Sequence, residues 1–179
     1  MKILVCGGSG FIGSTFIHNY LKSNSELSIT NIDNLTIGSN QENLKDIQSN
    51  NQYNFIQDNI QNESVISNLV KDFDIVVNFA AESHVDRSIS NPKPFVETNV
   101  LGIYSLLEAI RKHDKLFIHV STDEVYGDAD HQESFNEMSQ VNPSNPYSAT
   151  KAAADHLVAS YYRTYGIKCI TTRCSNNFG

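Results

Sequence analysis

The chain has 179 residues, enough for one well-cored domain and too few for two of ordinary size. With 40% hydrophobic and 18% charged residues, nine Gly and only four Pro, it has an ordinary globular composition, which excludes collagenous, mucin-like and disordered chains. Thirteen basic against twenty acidic side chains leave a net charge of -7, so nucleic acid is disfavoured as a partner.

The first predicted strand, Ile3 to Cys6, is too short an apolar run for a signal peptide or a membrane span. No membrane partner and a cytoplasmic location are expected. A helix over Phe11 to Ser23 and a strand over Leu27 to Ile32 follow, then a weaker helix candidate at Glu42 to Gln48. Asn and Gln crowd residues 40–62, yet Tyr53, Phe55, Ile56 and Ile60 carry the apolar pattern through them. That stretch reads as a solvated surface with a strand, Tyr53 to Ile56, inside it. Next come a helix Glu63 to Lys71, a strand Asp74 to Phe79, a helix Pro94 to His113 and a strand Leu116 to Val120. A helix Tyr147 to Tyr165 and a strand Cys169 to Thr172 complete the chain.

The strands are mostly unalternating apolar runs, so they need cover on both faces. Strand and helix alternate, which predicts an α/β fold with a doubly wound parallel sheet of the Rossmann type and its ligand crevice at the carboxyl ends of the strands. No internal boundary divides residues 1–179. Cys6, Cys169 and Cys174 have no metal-ligand spacing and no disulfide pattern, which fits a reducing compartment; no metal is expected.

Directly after the first strand, Gly7, Gly10 and Gly13 mark a G-x-x-G-x-x-G turn leading into a helix. In that context backbone N–H groups at the helix start can face a pyrophosphate. Asp33 ends the second strand 20 residues after Gly13, where its carboxylate can accept from an adenosine ribose and would repel a 2'-phosphate. The expected cofactor is therefore NAD rather than NADP. Asp58, at the end of the third strand, is either an adenine contact or an ordinary turn former. Ala80 and Ala81, after the fourth strand, either let a ligand approach the backbone closely or pack in the core.

The fifth strand runs into Ser121-Thr122-Asp123-Glu124-Val125-Tyr126-Gly127. Asp123 and Glu124 could act as an acid and a base on different atoms of one substrate. By sequence position alone, a solvated polar turn is the favoured reading of this pair. Asn145 and Pro146 suit the cap and first position of the next helix, and Tyr147 and Lys151 then lie one turn apart on it. A tyrosine base must ionise well below its ordinary pKa of about 10. Lys151, the helix N-terminus and a positive nicotinamide ring are expected to supply that shift together.

The glycine turn and Tyr147-x-x-x-Lys151 together resemble the extended short-chain dehydrogenase/reductase family. Three longer strings, Ala80 to Ile89, Ser121 to Gly127 and Thr172 to Asn177, resemble its dTDP-glucose 4,6-dehydratase family across essentially the whole chain. The resemblance implies a redox-neutral removal of water from dTDP-glucose that gives dTDP-4-dehydro-6-deoxyglucose. In that reaction Tyr147 would take the C4 hydroxyl proton, Thr122 would hold that hydroxyl and Lys151 would support Tyr147 and the ribose. Glu124 would remove the C5 hydrogen and Asp123 would protonate the departing C6 hydroxyl.

The resemblance further implies cofactor contacts from Gly7, Gly10, Phe11 and Ile12 at the turn, and from Asp33, Asn34, Leu35 and Thr36 after the second strand. Asp58, Ala80, Ala81, Thr98, Tyr147, Lys151 and Asn177 complete that set, while Ser83, Thr122 and Asn176 would face the sugar. His84, Asp86 and Arg87 either hold their loop or touch substrate, and His119 is expected to be a packed strand residue. Two positions depart from the family pattern: Gln57-Asp58-Asn59 stands where Gly-Asp-Ile is usual, and Phe178 where Tyr is usual. A homodimer through the helices around Thr98 to His113 and Tyr147 to Tyr165 is likewise implied. Relatives continue past Gly179 into a smaller substrate-gripping lobe, so this chain alone is expected to bind NAD and turn over poorly. The alternatives are a nucleotide-sugar 4-epimerase, which needs no acid and base at C5 and C6, and a non-catalytic NAD-binding fragment.

Overall fold

The computed structural model describes residues 1–23, 26–129 and 134–178; Gly179, the last residue of the expected domain, lies outside them. Six strands form one parallel sheet: β1 (Lys2–Cys6), β2 (Ser28–Asp33), β3 (Tyr53–Gln57), β4 (Ile75–Asn78), β5 (Leu116–Thr122) and β6 (Lys168–Cys174). Their spatial order is β3-β2-β1-β4-β5-β6, with every pairing parallel. The order reverses between β1 and β4, and the crevice where ligands bind such sheets opens at that reversal.

The apolar runs sort their side chains to two faces. Leu4 and Cys6 of β1 join Ile32, Val76 and Phe117 beneath helices α2 (Glu63–Val70), α5 (Ile103–His113) and α6 (Pro146–Tyr165). Ile3 and Val5 of the same strand point the other way, with Ile29 and Val77, toward Ile17 and Leu21 of α1 (Phe11–Ser23). Burial on both sides is why these strands do not alternate with polar residues. Each fully buried Leu or Ile contributes roughly 1.5–3 kcal/mol to this core. A third, smaller cluster of Val125, Tyr126 and Ala152 packs the turn after β5 against α6.

Several elements differ from the sequence expectation. The weak helix candidate at Glu42 to Gln48 is a 3-10 segment, Gln41–Ile47, capped by the Asn40 side chain. A short helix, α3 (Val85–Ser90), occupies a stretch expected to be loop, because VDRSIS carries no apolar stripe to announce it. The helix expected at Pro94 to His113 is composite: α4 (Lys93–Val96), a π-helical stretch Glu97–Gly102, and α5. A π stretch only inserts a wider turn, so the hydrophobic periodicity through it barely changes. Strands β5 and β6 run two residues farther than expected, to Thr122 and Cys174, and so carry polar side chains to the crevice rim.

Candidate active site

At the crevice the chain first folds the glycine turn. Gly7 has φ of +77°, and a Cβ there would lie 2.5 Å from the Ala80 backbone nitrogen, so the turn after β1 and the loop after β4 meet with no room for a side chain. A Cβ on Gly13 would overlap the Gly7 carbonyl oxygen, which fixes the start of α1 tightly on the turn. Gly8, which the spacing did not single out, donates its N–H to Asn31 Oδ1 at 2.9 Å. Gly10 is different: the nearest protein atom to a Cβ there is 3.5 Å away. Its open side faces the cavity, as a phosphate cradle requires.

Asp33, at the end of β2, is buried and accepts two backbone N–H bonds, from Ser9 at 2.9 Å and from Leu35 at 2.8 Å. Each carboxylate oxygen keeps a further lone pair for a ribose hydroxyl. Leu35 reaches this bond with φ of +58°, a left-handed conformation that few branched residues adopt. Asn40 N–H and Asn43 Nδ2 both donate to the Ser9 carbonyl at 3.0 Å, tying the following segment back onto the turn.

One cavity of about 420 Å³ runs along the crevice. Of the residues expected at the cofactor, Gly7, Gly10, Phe11, Ile12, Asp33, Asn34, Thr36, Asp58, Ala80, Ala81 and Thr98 line it. Tyr147, Lys151, Thr122, Glu124, Ser83, Asn176 and Asn177 line it too. Leu35 and Asp123 do not line it. Leu35 contributes through its backbone bond to Asp33, while Asp123 Oδ1 accepts the Thr122 hydroxyl at 3.4 Å. Asp58 also takes the Asn59 N–H at 2.7 Å, so it forms a turn and faces the cavity at once.

The reacting end is assembled from β5 and α6. Thr122 Oγ1 accepts the Glu124 N–H at 3.3 Å and caps the 3-10 turn Asp123–Tyr126. Helix α6 begins with a reciprocal cap: Asn145 Oδ1 accepts the Ser148 N–H at 2.8 Å, and Ser148 Oγ accepts the Asn145 N–H at 3.2 Å. Pro146 takes the first helical position. Tyr147 N–H, a free donor at a helix start, finds Ser88 Oγ of α3 at 3.1 Å. This helix start points the phenol of Tyr147 into the cavity.

Burial pushes the Tyr147 phenol up to about 12; the Thr122 hydroxyl works against that rise, and the carboxylates of Glu124 and Asp123 add to it. The Lys151 ammonium is buried and donates to the Val120 carbonyl at 2.7 Å, and burial brings it down to about 8. Lysine at i+4 shares a helix face with Tyr147, but its four-carbon stem carries the charge to the neighbouring strand. His119 is fully buried, as expected of a packed strand residue, and burial holds it down to about 4.

Sequence reasoning missed Asn99, which holds these parts in place, while a loop-holding role was one of the two expected of Arg87. Asn99, in the π stretch, accepts Glu82 N–H at 2.9 Å and donates to Glu82 O at 2.9 Å and Thr150 Oγ1 at 3.0 Å. It ties the Ala81–Ser83 loop to α6. Arg87 pairs with Glu82 at 3.0 Å and so holds the same loop, while His84 and Asp86 are exposed. A polar residue interrupting an apolar helix was the available signal for Asn99.

A family model described as "GDP-mannose 4,6 dehydratase" matches residues 4–179. A dTDP-glucose 4,6-dehydratase of Mycobacterium tuberculosis is 45% identical over 181 residues, covering 100% of this chain and 54% of that protein. A crystal structure of dTDP-glucose 4,6-dehydratase from Streptomyces venezuelae, with NAD and a second ligand bound, superposes with a TM-score of 0.96 at 39% identity, covering 100% of this chain and 57% of that one. UDP-glucuronic acid 4-epimerase of Bacillus cereus, in complex with NAD, gives a TM-score of 0.92 at 32% identity, with 100% of this chain and 57% of that one covered. The chain spans about half the length of the curated relatives it matches.

Proposed function

We propose a function from one premise: the chain belongs to the GDP-mannose 4,6 dehydratase family. The activity its residues serve is the removal of water from dTDP-glucose to give dTDP-4-dehydro-6-deoxyglucose. The observation that carries this reading is a single cavity lined by a glycine turn, Asp33, Thr122, Glu124, Tyr147 and Lys151. The residues fit NAD: Gly10 leaves an open cradle for a pyrophosphate, and Asp33 has acceptor capacity left for a ribose. Gly7, Phe11 and Ile12 would hold the pyrophosphate, Asp33 and Asn34 the adenosine ribose, Asp58 the adenine, and Lys151 the nicotinamide ribose.

NAD, when bound, supplies a hydride acceptor that returns the hydride within the same turnover. Tyr147 takes the proton of the sugar C4 hydroxyl, which Thr122 holds by hydrogen bond. The phenol of the chain by itself keeps its proton at neutral pH, so positive charge brought against its ring is what lets it act as a base. A C4 ketone acidifies the C5 hydrogen, which Glu124 removes. Asp123, hydrogen-bonded to Thr122, would protonate the departing C6 hydroxyl, and the C5=C6 double bond left by loss of water would be closed by return of the hydride to C6 and of the Glu124 proton to C5. Ser83 and Asn176 would orient the sugar.

Exposed Leu101 on the π-helical stretch, Tyr104 on α5 and Tyr162 and Tyr165 on α6 support a homodimer through these helices. The negative net charge argues against nucleic acid, and among the described residues no helix is long and apolar enough to cross a membrane. Three free cysteines support a cytoplasmic location.

The test is calorimetry with NAD, NADP and dTDP-glucose, followed by mass analysis of the sugar after incubation. Binding of NAD, and loss of water from the sugar with NAD present, support the proposal. Epimerised sugar with no 6-deoxy product would replace it with a 4-epimerase. NAD binding without turnover would leave an NAD-binding fragment.

A further inference from the structure

Asp155 lies one turn beyond Lys151 on α6, and both side chains are buried. The Asp155 carboxylate accepts a 2.8 Å hydrogen bond from Arg173 Nε, and its other oxygen stands 3.5 Å from His119 Nε2. Arg173 Nη1 continues to the Tyr126 hydroxyl at 2.7 Å, with the guanidinium 5.0 Å from the centre of that ring. Tyr126 belongs to the turn that carries Asp123 and Glu124. The chain of contacts therefore runs from the turn bearing the acid and base, through Arg173, to the helix bearing Tyr147 and Lys151. None of it touches the cavity, and the proposed chemistry uses none of it.

We propose that Asp155 is a positioning residue for Lys151: clamped by Arg173 beside His119, it supplies the counter-charge that keeps the sequestered ammonium protonated and seated on the Val120 carbonyl. An ammonium removed from water loses its proton unless an opposite charge replaces the lost hydration. Among the groups around Lys151, Asp155 on α6 opposes the effect of burial most strongly, with Cys174 on β6 next. Asp155 can do so because it stays ionised: despite burial, the nearby His119, the bonded Arg173 guanidinium and Ser121 hold its carboxyl below the usual range. His119 on β5 is kept neutral and adds no second positive charge. Tyr147 holds its proton, Asp123 and Glu124 lie on the turn beyond, and Arg173 divides its charge between Asp155 and Tyr126.

This deepens the reading of Lys151 as a ribose-binding cation, but its test needs neither coenzyme nor turnover. Lysine labelled with carbon-13 at Cε reports protonation directly by NMR, and Lys151→Arg identifies the resonance. The wild-type signal titrates near 8. In Asp155→Asn the midpoint falls by about one to three pH units, and Asp155→Glu restores it. A merely structural Asp155 would leave the midpoint unmoved, so an unchanged titration in folded Asp155→Asn overturns the proposal. If Asp155→Asn does not fold, Asp155→Ser, which also removes the side-chain charge, is titrated in its place. Its midpoint likewise falls, and an unchanged or raised value overturns the proposal. NAD affinity of the wild-type chain, measured separately, tests the cofactor reading independently.

Discussion

The side-chain amide of Asn99 donates to Thr150 Oγ1 at 3.0 Å while gripping both backbone polar groups of Glu82 at 2.9 Å. One buried residue thus joins the loop after β4 to the helix that carries Tyr147 and Lys151. Asn99→Ala would leave the Glu82 N–H and carbonyl buried without that partner, each costing about 1–3 kcal/mol. We expect a loss of roughly 2–6 kcal/mol in urea denaturation. Asn99→Asp, which keeps the acceptor but loses the donor, should fall between wild type and Ala.

Gly7 and Gly10 separate folding from binding. At Gly7, positive φ and the Ala80 nitrogen 2.5 Å from a Cβ make Gly7→Ala a folding mutation, costing about 1–3 kcal/mol in backbone strain alone. At Gly10, a Cβ meets nothing closer than 3.5 Å. Gly10→Ala should therefore keep wild-type stability within about 0.5 kcal/mol and lose NAD binding. Denaturation curves and NAD titration on the two variants check this contrast.

Asp33 is expected to serve both stability and coenzyme choice. Asparagine can accept from only one of the Ser9 and Leu35 N–H groups, because its second terminal atom is a donor. Asp33→Asn should lose about 1–3 kcal/mol of stability and bind NAD at least about tenfold more weakly, which is 1.4 kcal/mol or more. The wild-type chain should prefer NAD to NADP in the same titration, since a carboxylate repels a 2'-phosphate.

His119 sets an acid limit on the fold. Burial lowers its pKa from an ordinary 6.5 to about 4, so between these values the unfolded chain binds a proton that the folded chain refuses. Stability from this group is complete above 6.5 and is lost as pH falls through 4, a decline of about 3 kcal/mol. The difference in unfolding free energy between wild type and His119→Gln should shrink over that window, as followed by urea denaturation at pH 7, 5.5 and 4.

The sheet was legible because Ile3-Leu4-Val5-Cys6 and its counterparts are apolar on both sides, which only a doubly covered parallel sheet satisfies. The phosphate turn was legible because Gly7 and Gly13 have steric reasons to be glycine that the spacing exposes. Helix α3 was not, since VDRSIS is too short and too polar to show a periodicity. Nor was the destination of the Lys151 ammonium, because helical spacing fixes where a Cβ points and not where a long flexible stem ends. Asn99, Asp155 and Arg173 were missed for a related reason. Their partners Glu82, Tyr126, His119 and Thr150 are remote in sequence, so no local pattern links them.

Lys168 of β6 reaches Asp114, the left-handed residue that closes α5, at 2.9 Å, and Arg173 of the same strand reaches Asp155 of α6 at 2.8 Å. The strand is thus fastened near both its ends to the helices beside it, and a slip of its pairing with β5 would break both ion pairs at once.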